Sequence, residues 1–249
     1  VEMAEPLPLK TKVIIRFALP GEDAAICAMA RVQNHYYVHY TDGDDLRGEL
    51  GIPASAFVVG SVGHLRAEKN YPRLLQALAE ARRTDPARDH RLLLVGDGVE
   101  RERLDALERE LDLTDHIHFA GHRADCAPAY RAMDLFCLSS DTEQMPISLV
   151  EAMACERPAV STDVGDVRLM VPSEGMANVV PLDPSGGEHG GPDASARALA
   201  ARFVALAADD AERARLGTLG RARALGDYGF DAMLEVYRGL YEGLLFDRS

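Results

Sequence analysis

The 249 residues suffice for one large domain or two small ones, and 47% hydrophobic with 27% charged residues is the balance of a soluble globular chain. A formal net charge of −13, from 40 acidic and 27 basic residues, argues against a general nucleic-acid binder, which needs a basic face to displace counterions. No apolar run reaches bilayer length and no basic, apolar leader opens the chain, so neither a membrane span nor a secretion signal is expected.

Residues 1–50 carry no assignable chemistry. Residues 12–17 (KVIIRF) read as a strand, 23–32 as a short helix, and 34–40 (NHYYVHY) as an aromatic-rich strand or interaction surface. Residues 44–50 read as a helical turn before the main domain.

From about residue 56, short apolar runs alternate with helical stretches. Residues 57–62 (FVVGSV) form a continuous apolar run ending in Gly63, and 74–81 have helical periodicity. Residues 91–95 (RLLLV) are a second strand, stopped by Gly96-Asp97-Gly98, and 100–111 a charged amphipathic helix. A third strand at 117–119, a short helix at 127–133 and a fourth strand at 134–138 (DLFCL) follow. Residues 146–155 read as a helix with Pro146 near its first turn, where a missing N–H costs least. Strands at 158–161 and 178–180 close the series. The Gly-rich stretch 184–192 reads as a surface loop, and helices follow at 194–207, 210–225 and 230–245. Alternating β and α elements predict an α/β fold with a doubly wound, Rossmann-like parallel sheet, and continuous apolar strands fit a sheet covered on both faces. In such sheets ligands bind beyond the carboxyl ends of the strands. There stand four suggestive loops: 63–69, 96–98, 121–123 and 139–146.

The chemistry concentrates in 143–151 (EQMPISLVE). Glu143 lies before a helix and Glu151 about two turns inside it. Between them are unpaired backbone N–H groups and the positive end of the helix dipole. A diphosphate on those N–H groups, with a carboxylate to each side for sugar hydroxyls, suits a nucleoside diphosphate sugar. The alternative from spacing alone is a cap (Glu143) and a solvated helix charge (Glu151). Lys69 and Arg66, after the first strand, are candidates to counter diphosphate charge. His116 and His118 share a strand face, but no Cys or carboxylate lies at zinc-site spacing, so no metal is expected. Cys27, Cys126, Cys137 and Cys155 form no CxxC pair, which favours reduced thiols in a cytoplasmic setting, with Cys137 and Cys155 in the core.

The blocks VGHLRAEKN (62–70), LLLVGDG (92–98), HFAGHRAD (118–125), DLFCLSS (134–140), EQMPISLVEAMACERPAVSTDVGD (143–166) and YGFDAMLEVYRGLYEGLL (228–245), in this order, resemble the C-terminal, donor-binding domain of family 4 retaining glycosyltransferases of the GT-B fold. The resemblance runs from about residue 44 to the end and divides the chain into an unassigned segment, 1–50, and a nucleotide-sugar-binding domain, 51–249. It implies that Glu143 positions the transferred sugar and that Glu151 holds the ribose hydroxyls. Lys69 would bind the diphosphate and stabilise the leaving group, beside Gly63, His64 and Arg66. The backbone of Met145, Pro146, Ile147 and Ser148 would cradle the phosphates, with Gly96, His122 and Arg123 near the base. It implies transfer with retention and neither metal nor cofactor; the expected ligand is a nucleotide-sugar donor, the acceptor unspecified.

Two positions depart from the family pattern: His64 stands where an arginine is usual, and Gln144 where a glycine is usual. Residues 1–50 are too few for the family's acceptor domain. The chain is therefore expected to be an excised donor domain, half of a split enzyme or a truncated product. An acceptor domain would come from a partner chain or self-association, and any peripheral membrane contact only through that missing domain. A non-catalytic nucleotide-sugar- or partner-binding module and a GT-B nucleotide-sugar epimerase are the alternative readings.

Overall fold

The computed structural model describes residues 12–17, 26–31, 45–183 and 191–246. The chain divides into two compact units, Val1–Thr41 and Asp42–Ser249. In the first, β1 (Lys12–Phe17) and β2 (Ile26–Arg31) pair antiparallel, with Lys12 opposite Arg31 and Phe17 opposite Ile26. This corrects the expectation of a helix over 23–32. Ala28, Met29 and Ala30 are good helix formers, but pairing along the β-branched run Val13-Ile14-Ile15 outweighs local propensity. The reading of 34–40 lies outside the described residues.

The second unit begins with α1 (Leu46–Glu49), and the elements then alternate. In chain order they are β3 (Phe57–Val62), α2 (Tyr71–Thr84), β4 (His90–Val95), α3 (Arg101–Glu110) and β5 (Ile117–Gly121). Then come α4 (Ala127–Ala132), β6 (Leu135–Leu138), α5 (Ile147–Ala154), β7 (Ala159–Thr162), α6 (Val167–Met170) and β8 (Val179–Val180). Helices α7 (Ala194–Ala207), α8 (Asp210–Asp227) and α9 (Phe230–Phe246) finish the unit. The predicted elements of this unit recur within a few residues at each end. Pro146 caps α5 from just outside rather than standing in its first turn.

The six strands β3 to β8 form one parallel sheet in the order β5-β4-β3-β6-β7-β8. The chain builds outward from β3 to β5, returns to lay β6 against the free side of β3, then builds the other way. The order therefore reverses between β3 and β6. At such a switch point the flanking loops diverge to opposite faces and leave a crevice beyond the carboxyl ends of the strands.

Both faces are covered, as the continuous apolar strands predicted. Val59, Leu92, Leu94, Leu135 and Cys137 face one core, filled by Leu74, Leu78 and Phe203 of α2 and α7. Their neighbours Val58, Leu93, Val95, Phe136 and Leu138 face the other, filled by Tyr130, Leu149 and Met153 of α4 and α5. This period-2 division is the signature of a buried parallel strand. Packing from both sides fixes the height of every strand end, and hence the positions of the loops that leave them.

Candidate functional site at the strand switch point

Lys69 is positioned by a sequence of short local structures. A single 3-10 turn, Ala67–Lys69, is ended by Asn70, whose left-handed φ of 42° suits asparagine better than most residues. The Asn70 side chain accepts from the Arg73 N–H at 3.2 Å and so caps α2, with Pro72 in the first turn. Lys69 thus stands at a fixed corner between β3 and α2. Across the switch point, the Ser139 hydroxyl donates to the Lys69 carbonyl at 2.9 Å, and the Asp141 N–H donates to the Glu68 carbonyl at 2.9 Å. These bonds tie the loop after β6 to the loop after β3.

The Lys69 ammonium donates to Oε1 of Glu143 at 2.6 Å, with the two side chains 22% and 11% exposed. The Ser140 hydroxyl donates to the same oxygen at 2.7 Å. No hydrogen bond among the described residues engages Oε2 of Glu143. Glu143 is therefore not a helix cap, and α5 begins with no side-chain cap at all and no acidic residue in its first turn. Its leading N–H groups and positive dipole end are left for an anion. Within this stretch Pro146 is buried, Ser148 half-buried, and Met145 and Ile147 are exposed.

The Glu143 loop rests on backbone. Gly165 has φ +50°, and a Cβ there would lie 2.4 Å from the Gln144 carbonyl oxygen and 2.5 Å from that of Glu143. The Asp166 N–H donates to the Gln144 carbonyl at 2.9 Å. Gly96 plays the matching role beneath the other loop: at φ +135° it lies so close that a Cβ would meet the Gly63 carbonyl oxygen at 2.0 Å. Both glycines are required by close backbone approach at a positive φ.

Two buried tyrosines border the site. A Cβ at Gly63 would stand 3.1 Å from the Tyr71 hydroxyl. Burial raises the Tyr71 phenol, the neighbouring Glu143 charge adds to the rise, and a hydrogen bond with Ser61 opposes it. On the other side, the Tyr130 hydroxyl of α4 donates to Oε2 of Glu151 at 2.8 Å.

The structure sorts the expected residues. Lys69 and Glu143 come together, Gly63 and Gly96 interlock beneath them, and Glu151 stands on α5 beside Tyr130. His64 and Arg66 are exposed; the ion pair of Arg66 among the described residues is with Glu68, at 3.9 Å. His122 is exposed, while Arg123 forks onto the Glu49 carboxylate of α1. Sequence reasoning missed Ser140, Tyr130, Gly165 and the buried Arg73. Ser140 had a faint signal, a hydroxyl three residues before Glu143 at the end of an apolar strand.

Among the described residues, no group of three or more His, Cys, Asp or Glu side chains could hold a metal ion, and no helix is long and apolar enough to cross a membrane.

Residues 56–209 match the family model for glycosyl transferases group 1. D-inositol 3-phosphate glycosyltransferase of Kineococcus radiotolerans is 35% identical over 215 residues, which cover 82% of this chain and 48% of that protein. The lipopolysaccharide core biosynthesis glycosyltransferase LpsE of Rhizobium meliloti is 30% identical over 192 residues, covering 77% and 51%. The crystal structure of HepE from Anabaena in complex with UDP superposes with a TM-score of 0.64 at 26% identity, covering 80% of this chain and 51% of that one. Sucrose-phosphate synthase of Thermosynechococcus elongatus gives 0.64 at 29% identity, covering 82% and 49%. The chain spans about half the length of the curated relatives it matches, and its six-stranded α/β unit matches part of these GT-B glycosyltransferase structures. It belongs to the group 1 glycosyltransferases.

Proposed function

We propose that this chain is the donor-binding half of a retaining glycosyltransferase, which holds a nucleoside diphosphate sugar at the β3–β6 switch point. The observation that carries this reading is the Lys69–Glu143 pair beside the uncapped N-terminus of α5, with Glu151 farther along the same helix. The diphosphate accepts from the leading N–H groups of α5, in the partial positive field of the helix. Lys69 leaves Glu143 for the diphosphate and stabilises the negative charge that grows on it as the sugar departs. Glu143, freed of its ammonium, accepts from hydroxyls of the transferred sugar, and Glu151 accepts from the ribose.

The relatives support the reading by their names, and HepE by its bound UDP. In this proposal the acceptor site lies in the part of the relatives that this chain does not span, and transfer requires that part. The free thiols of Cys126, Cys137 and Cys155 support a reducing, cytoplasmic setting.

Calorimetric titration with UDP, GDP and ADP tests the donor site. At least one should bind the wild-type chain. Lys69→Ala and Glu151→Ala should each weaken that nucleotide about tenfold or more, the value of one hydrogen bond to a charged group. Failure of all three nucleotides to bind, or unchanged binding in both variants, contradicts the proposal. Added acceptor half should then restore transfer; binding with no transfer would reduce the chain to a nucleotide-sugar-binding module.

A further inference from the structure

Glu151 and Glu143 share a design that the sequence does not display. Each carboxylate has one oxygen held by a hydroxyl from a neighbouring element, Ser140 for Glu143 and Tyr130 for Glu151. In each, the other oxygen makes no hydrogen bond among the described residues. Tyr130 is the more constrained of the two hydroxyl bearers. It is 1% exposed, its ring lies 6.0 Å from that of Phe136, and it packs in the core between the sheet and α5. A buried hydroxyl without an acceptor is costly, so the pairing with Glu151 fixes both groups. Burial and the adjacent Glu151 charge both hold the phenol protonated, and therefore a donor.

We propose that Tyr130 is a positioning residue for ribose recognition: by holding Oε2 of Glu151, it presents Oε1 to the ribose hydroxyls in one orientation. The inference rests on the donor-site reading given above. A glutamate side chain on a helix otherwise samples several rotamers, and ordering them costs free energy that a ligand must supply when it binds. The Tyr130 hydroxyl supplies the ordering beforehand. Its consequence is specificity, since a carboxylate oxygen held at the sugar discriminates a hydroxyl from a hydrogen. A merely structural tyrosine would have no such consequence.

The test uses the intact chain with UDP, GDP and ADP and their 2′-deoxy counterparts, titrated into wild type, Tyr130→Phe, Glu151→Ala and the double variant. Tyr130→Phe keeps the ring in the core and removes only the hydroxyl. For the nucleotide that binds tightest, wild type should prefer the ribose form about tenfold. Tyr130→Phe should lose most of that preference by weakening the ribose form, while the 2′-deoxy form stays within about twofold. In the Glu151→Ala background, Tyr130→Phe should change the preference no further, because the pair acts as a unit. An unaltered preference in Tyr130→Phe, including an equal weakening of both forms, overturns the positioning role and leaves the donor-site reading intact. Absence of nucleotide binding by wild type, or a preference that survives Glu151→Ala, overturns the reading on which the inference rests and the inference with it.

Discussion

Two cations four residues apart, Lys69 and Arg73, reach across the same strand switch point and have opposite characters. Arg73 is 3% exposed, and among the described residues its guanidinium donates four hydrogen bonds. It donates to Asp193 at 2.8 Å, to Asp141 at 2.6 Å, and to the carbonyls of Ser139 and Asp183 at 2.9 and 3.2 Å. Asp193 is 5% exposed and also caps α7, accepting from the Ala196 N–H at 2.6 Å. Among the described residues Lys69 instead has one side-chain acceptor, Glu143, whose second oxygen makes no hydrogen bond. A buried charge held between two carboxylates and two carbonyls has little left to offer a ligand, so Arg73 is architecture. A charge pair with one bond and spare capacity on both sides can change partners, so the Lys69 pair is the candidate for chemistry.

The comparison is tested most severely at Arg73. Arg73→Met leaves Asp193 buried without its partner, and should destabilise the chain by about 3–5 kcal/mol in urea unfolding. Lys69→Ala should cost under about 1 kcal/mol in the same assay, as a partly exposed single pair. Equal losses would erase the distinction. The next effect in size concerns the backbone beneath Glu143. Gly165→Ala adds a Cβ against the Gln144 carbonyl at a positive φ and should cost about 1–3 kcal/mol of strain. It should also displace the Glu143 loop, and a variant as stable as wild type would show that this loop is not held from below.

The smallest effect is at the far end of the sheet. His90 is wholly buried at the start of β4, and burial lowers its pKa against the opposing pull of Asp85. A histidine whose folded value lies below its unfolded value takes up more protons unfolded than folded. Its contribution is therefore intact above about pH 6.5 and is lost as pH falls toward the folded value. Burial shifts His116 and His118 in the same direction. The urea midpoint should fall from pH 7.5 to pH 5.5, with each histidine contributing at most about 1.4 kcal/mol per pH unit. His90→Gln should reduce that fall; a pH response unchanged by the substitution would place the titration elsewhere.

The contrast between Lys69 and Arg73 also marks how far the sequence could be read. The parallel sheet was legible because residues buried on two faces are written as continuous apolar runs, such as FVVGSV and RLLLV. The convergence of the loops after residues 62 and 138 was legible because both follow strands, and ligands gather at strand ends. Which cation would be spare was not, since Lys69 and Arg73 look alike until tertiary acceptors are counted. Arg73 owes its satisfaction to Asp193, 120 residues away. Tyr130 was hidden for the same reason: its acceptor stands 21 residues on, on a different helix. The helix expected over 23–32 failed through the same blindness, because strand pairing with 12–17 is a non-local contact.

The central claim is that Lys69 exchanges Glu143 for a diphosphate, and nucleotide titration of Lys69→Ala tests it most directly. The account predicts a variant nearly as stable as wild type in urea, with affinity for its preferred nucleoside diphosphate reduced about tenfold or more. Affinity equal to wild type in a folded Lys69→Ala chain would contradict it.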